Sequence, residues 1–451
     1  MASISRNLQR IKDDLRAFLP EPMIIAACRE AGHRWRKRLL DPVTTLHLFI
    51  LQVLCCNTAM THLRHLAKAP VKAAAYCKAR MRLPLAALQE LLRSSSAAMR
   101  ARQRTGTLWC GLRTFLLDGT STITPDVPEL AEAFGRPTGQ KKGCGWPVPK
   151  ILALLDAFSG MVVEVMGFPL FTHEQSQAWR LHPLLGVGDL LLADRGLCSF
   201  AHLAMLAARG VAGVFRVHQR QIINFRPHRK TRRQAGKKGG RGRPTSRFIK
   251  RLGKHDQVVE WIKPSQKPRW MTMEQYDALP AKLLVRELKY RIPCKGQRTR
   301  CVTIGTTLLD GERYSKDQIA ELYDLRWTAE THFAELKTTL KMRMLKSKTE
   351  AGVRKELAVY CLVYNLVHAI MLEAARRQGI TDVGRVSFID AVRWLLSAEP
   401  GEELAKLVIN PHRPDRHEPR VTKTRHGSYP VMTKPRAVLK KALKSRAKNA
   451  K

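Results

Sequence analysis

The spacing of apolar residues changes at Thr107, and this change constrains the fold more than any single motif. Before it, apolar residues recur every three or four positions in Ala- and Leu-rich runs, the period of amphipathic helices. Asp41-Pro42 reads as a helix start, Asn57-Thr58 as the cap of the next helix, and Pro70 and Pro84 as punctuation between two more. After it come short apolar runs closed by turn residues: TLWCGLRTFLLDGT, KILALLDAFSG and MVVEVMGFPL. These read as three successive strands. Thr172 and Gln175 have capping-box spacing and predict a helix to about Leu185. A strand over Leu190 to Ala193, a helix from Ser199 to Arg209 and a strand over Gly213 to Val217 follow. Three strands in a meander, then helix, strand, helix and strand, predict a mixed sheet flanked by helices.

From His218 to Arg300 the pattern breaks into a Gly-rich basic stretch and then the short alternating runs QVVEWI, KLLVRELKYRI and TRCVTIGTTL. This reads as a strand-rich insertion carrying a basic loop. Arg226 to Lys254 contains no acidic residue, so the loop is expected in solvent or on a polyanion. Its fragment Gly242-Arg243-Pro244 resembles a minor-groove hook. Helices resume at Ser315 and run to about Lys341, and an apolar helix covers Glu350 to Arg377. The tail from Arg413 is rich in Lys, Arg and Pro and reads as an arm for phosphates. The expected division is 1–107, an all-helical N-terminal DNA-binding domain; 108–217, the first part of the core; 218–300, the basic insertion; 301–380, the last part of the core with its catalytic helix; and 381–451, a helical segment with a basic tail.

Charge narrows the partner. The chain carries 80 Lys and Arg against 37 Asp and Glu, a formal net charge of +43, which a compact fold tolerates best beside a polyanion. Nucleic acid is the expected partner. Arg64, His65, Lys68, Lys72, Lys78, Arg80 and Arg82 crowd the region between Thr61 and Leu83, as on a helical face meeting phosphates, or on the solvated face of a bundle. An apolar content of 44% excludes a wholly disordered chain. The ten cysteines form no C-x-x-C pair, and the apolar stretch Leu46 to Cys56 is too short to cross a bilayer. The first residues lack the apolar core of a signal peptide. The expectation is a cytoplasmic, nucleoid-associated protein with reduced thiols and no membrane partner.

Asp118 closes the run Phe115 to Leu117 and Asp194 closes Leu190 to Ala193, each followed by turn chemistry at Gly119 or Arg195-Gly196. Two strands that end in Asp can bring their carboxylates together. Asp156 also ends an apolar run, but D-A-F-S-G has the length of a hairpin connection, so it reads as a turn residue. Tyr323, Arg326, Glu330 and Lys337 recur at spacings of three, four and seven. At about 100° per residue they fall within an arc of roughly 60° on one helix. Leu322, Leu325, Ala329, Phe333, Leu336 and Leu340 fill the adjacent arc, so the polar stripe runs along the edge of the core, while Asp324 and Glu335 point elsewhere. Three carboxylates with nearby cations suit phosphoryl displacement assisted by two divalent ions, and hard oxygen donors favour Mg2+, with Mn2+ as a substitute. Neither a P-loop nor a G-x-S-x-G elbow occurs.

These blocks, D-G-T at Asp118, A-D-R-G at Asp194 and Tyr323-x2-Arg326-x3-Glu330-x6-Lys337, resemble the signatures of the bacterial insertion-sequence DDE transposases marked by Y-x2-R-x3-E-x6-K. The resemblance covers roughly residues 107 to 370. It implies an α/β fold with a ribonuclease-H-like mixed-sheet core interrupted by a strand-rich insertion. It also implies a Mg2+-dependent triad of Asp118, Asp194 and Glu330, cleavage at the terminal inverted repeats of a mobile element, and strand transfer into target DNA by cut-and-paste. Tyr323, Arg326 and Lys337 would grip phosphates, and Trp261 or Trp270 would hold a flipped base. Joining two element ends implies a homodimer on double-stranded DNA. His173 and Glu174 read as completing a helix start. The alternatives are an inactive DNA-binding derivative, a metal-dependent nuclease of the same fold, and a basic RNA-binding protein, the last disfavoured by 6% aromatics without stacking motifs.

Overall fold

The computed structural model describes residues 18–36, 38–66, 70–102, 108–139, 141, 143–227, 229–231, 243–292, 301–398, 402–411 and 434–449. Lys68, Gly242 of the G-R-P fragment, the middle of the acid-free loop and the tail over 412–433 lie outside the described residues.

Helices come first: α1 (Glu21–Glu30), α2 (Pro42–Leu54), α3 (Leu63–Leu66), α4 (Ala73–Arg82) and α5 (Leu85–Arg102). Asp41 caps α2 as its sequence predicts, with its carboxylate accepting from Thr44 N at 2.7 Å and Pro42 opening the helix. Next come β1 (Arg113–Ser121), α6 (Pro128–Phe134), β2 (Lys150–Asp156) and β3 (Val162–Phe168). α7 (Gln175–Ala178) then runs into a 3-10 turn, Trp179–Leu184. β4 (Asp189–Ala193), α8 (Phe200–Ala208) and β5 (Ala212–Arg216) follow. The stretch 218–300, read from the sequence as an insertion, contributes β6 (Arg247–Gly253), β7 (Asp256–Ile262), α9 (Met273–Asp277) and β8 (Lys282–Arg291), and β9 (Cys301–Thr306) follows it. The last elements are α10 (Lys316–Asp324), α11 (Thr328–Ala334), α12 (Glu350–Arg377), α13 (Phe388–Ser397) and α14 (Arg436–Asn449).

The described strands form one nine-stranded sheet in the order β3-β2-β1-β4-β5-β9-β8-β7-β6. β1 pairs antiparallel with β2 and parallel with β4, and β4 pairs parallel with β5. From β5 to β6 every pairing is antiparallel, so β6 to β8 extend the sheet instead of building a second one. Alternation along β1 divides the core. Leu116 faces one apolar cluster, shared with α12 and the N-terminal helices, while Phe115 and Leu117 face the other, shared with α8 and Trp261. Both faces are covered, which is why these strands read as continuous apolar runs. The window of α12 that is long and apolar enough to cross a membrane is 83% buried inside the protein, as a core helix would be.

Several expectations change in the structure. The helix expected from Thr172 starts at Gln175, where His173 Nδ1 accepts from Gln175 N at 3.2 Å, and it tightens to 3-10 winding around Pro183, which lacks an N–H. Arg80 is buried, with its guanidinium 3.6 Å from the Phe49 ring centroid and bonded to Gln52, so it belongs to the helical core and not to a phosphate-facing surface. Trp261 is only 4% exposed and donates to Glu287 Oε1 at 2.9 Å, which removes it as a holder of a flipped base. Trp270 is half-buried against His202 and Trp179. Asp156 does cap its turn, with Oδ1 accepting from Ser159 N and Ser159 Oγ at 2.8 Å each.

Candidate active site

Parallel pairing of β1 with β4 sets Leu117 opposite Ala193, so the next residues, Asp118 and Asp194, stand side by side on one face of the sheet. Asp194 follows the last residue of β4 and turns the chain as expected: its Oδ1 accepts from Gly196 N at 2.8 Å and Leu197 N at 3.3 Å. Asp118 differs from expectation. β1 continues through Gly119 to Ser121, and Gly119 is a strand residue opposite Leu152 and not a turn. Gly119 N donates to Asp118 Oδ1 at 2.8 Å. Backbone bonds thus hold Oδ1 of each aspartate, and Asp118 Oδ2 faces Arg326 at 3.5 Å.

The segment carrying Tyr323 to Lys337 is helical throughout but unevenly wound: α10 passes through a 3-10 turn at Leu325–Trp327 into α11 and then a π turn at Glu335–Thr339. A capping box at Ser315 and Gln318 starts it. Its register against the insertion is fixed by Arg286, 1% exposed, which forms a bidentate pair with Asp256 and donates to the Tyr314 carbonyl at 2.6 Å. Arg326 is buried between two carboxylates, 3.5 Å from Asp118 Oδ2 and 4.0 Å from Glu330 Oε1. Glu330 projects outward, its side chain 62% exposed. Lys337 reaches back to donate to Thr120 Oγ1, on the Asp118 face of β1. Tyr323 is buried, and its hydroxyl points at the Ala193 carbonyl at 3.4 Å, where it supports the strand end that carries Asp194. Trp327, 42% exposed, lies under the Arg326 guanidinium at 4.3 Å.

Glu174, which the sequence reads only as completing a helix start, stands elsewhere in the structure. Its carboxylate fills the space beside Gly119: a Cβ on Gly119 would lie 2.7 Å from Glu174 Cδ. It makes no cap at α7. Burial raises the Glu174 pKa, Lys150 opposes the rise, and Asp194 adds to it. Burial also pushes Asp118 up to about 6, against the pull of the Gly119 N–H and Arg326, with further push from Asp194 and Glu174. Three acidic groups therefore act on one another where β1 passes the end of β4, with Arg326 joining Glu330 to them. A concentration of hard oxygen donors that repel one another in the metal-free chain fits a divalent cation.

A family model described as a transposase DDE domain matches residues 109–366. Transposase InsG for insertion sequence element IS4 of Escherichia coli (strain K12) is 27% identical over 345 residues, covering 72% of this chain and 71% of that protein. A cryo-EM structure of a piggyBac transposase synaptic complex with hairpin DNA aligns over 85% of this chain and 78% of that chain, at 11% identity and a TM-score of 0.37. DDE transposases generally use divalent metals. The family match spans more than half of the chain and encloses Asp118, Asp194, Glu330 and Lys337; this chain belongs to the transposase DDE-domain family, as an IS4-type DNA transposase that performs phosphoryl transfer on DNA.

Proposed function

We propose that this transposase cuts at the terminal inverted repeats of an insertion sequence and joins the freed ends to target DNA by cut-and-paste, using Asp118, Asp194 and Glu330 to hold two Mg2+ ions, for which Mn2+ can substitute. One observation carries the reading: Asp118, within β1, and Asp194, just past the end of β4, stand side by side on adjacent parallel strands, and Arg326 lies between Asp118 and Glu330 on the neighbouring helix. When bound, the ions would activate a water or 3′ hydroxyl and stabilise the leaving oxygen. The chain's own residues do the rest. Arg326 keeps the carboxylates from repelling one another before the ions arrive and then faces the phosphate. Lys337, held against β1, neutralises charge on the transferred phosphoryl group. Glu174, packed against Gly119, adds negative charge beside Asp118 and Asp194, and exposed Trp327 offers a face to an unstacked base beside the cut.

The strand order β3-β2-β1-β4-β5, with β2 antiparallel to its neighbours, supports a ribonuclease-H-like core. DNA contact by the N-terminal helices is supported by a basic cleft of about 470 Å³ lined by His33, Arg34, Arg36, Arg38 and Arg82 around Trp35. We further infer a homodimer on DNA, since two element ends must meet, and a cytoplasmic, nucleoid-associated location.

Glu330→Gln tests the reading. Because Glu330 is exposed, the substitution leaves the fold intact. Cleavage of a terminal-repeat duplex should vanish while DNA affinity stays within a few fold. Equal loss of affinity would make Glu330 a binding residue, and retained cleavage would remove it from the triad.

A further inference from the structure

Beyond the carboxylate triad, the catalytic helix carries a second cluster of ligating groups on its buried side. His332 and Glu335 face His368 of α12, and one ligand atom from each lies within 4.8 Å of the others. Among them, His332 Nδ1 and His368 Nε2 both stand 3.7 Å from the same oxygen, Glu335 Oε2.

We propose that His332, Glu335 and His368 form a zinc site that staples the catalytic helix to α12 and to the β2–β3 turn. His368 supplies the first reason. Its Nδ1 lies 2.9 Å from the Ser159 carbonyl, which can only accept, so Nδ1 carries the proton and donates. That leaves Nε2 turned toward a carboxylate oxygen, and among the described residues it has no hydrogen-bond partner although the side chain is only 4% exposed. A ring whose far N–H is tied to a carbonyl while its free nitrogen meets other ligands is the usual posture of a zinc-binding histidine.

Distance supplies the second. A proton shared between imidazole and carboxylate would draw nitrogen and oxygen to about 2.7–2.9 Å. Ligands about 2.0–2.1 Å from a tetrahedral zinc stand roughly 3.3 Å apart, closer to what two histidines show here toward one oxygen. The third reason is the cradle. Gly160, at φ +70, lets both rings approach the turn: a Cβ there would lie 2.7 Å from His368 Cε1 and 2.8 Å from His332 Cε1. Tyr364 sits among the ligands: its hydroxyl donates to Glu335 Oε2 at 2.9 Å and accepts from His332 Nδ1 at 2.7 Å, so zinc would displace the proton that Nδ1 shares with the phenol. Two imidazoles and one carboxylate select zinc over magnesium, whereas the all-oxygen site near Asp118 has the opposite preference. His332 and Glu335 share the helical segment of Glu330 and Lys337, so an ion here would fix the segment that carries the reaction.

The test is zinc titration of the full chain in excess Mg2+, followed by X-ray absorption of the zinc-loaded protein. The expected result is one tight equivalent, a scattering pattern with two imidazoles, and a raised unfolding temperature on loading. His368→Gln and Glu335→Gln should each weaken zinc by about a hundredfold or more. Absence of tight binding would overturn the proposal, as would binding unchanged in both variants, or an all-oxygen shell. A proton-linked His–Glu pair would give the first of these outcomes. If a variant fails to fold, absorption of the zinc-loaded wild type decides alone.

Discussion

Gly119→Ala adds one methyl group beside the candidate triad and moves a carboxylate without deleting it. The new Cβ would lie 2.7 Å from Glu174 Cδ and 2.8 Å from each of its oxygens. Ordinary contact needs about 3.5–4.0 Å, so the Glu174 carboxyl must withdraw by roughly 1 Å. The obstacle is the far end of a side chain, and Gly119 sits in a strand at an ordinary φ, so the fold can absorb the change. Alanine even gains about 0.5–1 kcal/mol over glycine inside a strand, and the net change in unfolding free energy should stay within about 1 kcal/mol. Catalysis is less forgiving: a shift of about 1 Å in a positioned group costs on the order of a hundredfold in rate. Single-turnover cleavage of an end duplex in Mg2+, with thermal unfolding alongside, measures both. Glu174→Gln should fall to a similar rate, and the double variant should be little worse than either single one. Wild-type cleavage by a normally folded Gly119→Ala protein would refute a role for Glu174.

Three further outcomes are expected. Burial holds the Asp118 pKa at about 6 against an ordinary 3.8, so the neutral acid persists to higher pH in the folded, metal-free chain than in the unfolded one. Its contribution to stability is full below about pH 4 and lost as pH rises through 6, an effect of up to about 3 kcal/mol. In chelator, the stability difference between wild type and Asp118→Asn should change across that window; a flat difference refutes it. Arg286→Met strands Asp256 as a buried charge and should cost about 3–5 kcal/mol in urea unfolding, and a loss below about 1 kcal/mol would contradict the buried pair. DNA affinity should fall linearly with salt on logarithmic axes, its slope counting neutralised phosphates, and a salt-independent affinity would exclude the basic surface as the DNA contact.

The parts of the site that lie on the sheet were legible because strands buried on both faces leave unbroken apolar runs, and Phe115 to Leu117 and Leu190 to Ala193 each deliver an aspartate where the run ends. The residues around the helix were less so. A uniform 100° rotation places Tyr323 in the polar stripe, but 3-10 and π turns at Leu325 and Glu335 change the winding, and the Tyr323 hydroxyl turns in to the Ala193 carbonyl. Glu174 was hidden because its position depends on an absent side chain at Gly119, a contact that local pattern cannot carry. Trp261 could have been read as core: in QVVEWI it alternates onto the face of Val259, and both are buried.

Asp118, Asp194 and Glu330 are proposed to form a metal-dependent DNA-cleaving centre. The decisive measurement is cleavage of a labelled duplex ending in the element's terminal repeat, by wild type and Asp118→Asn, with Mg2+ or with chelator. The wild type should cut at the terminus in Mg2+ only, and the variant should not cut despite normal DNA binding. Cuts that persist in chelator or in Asp118→Asn would contradict it, and binding without cutting by either protein would instead describe an inactive DNA-binding derivative.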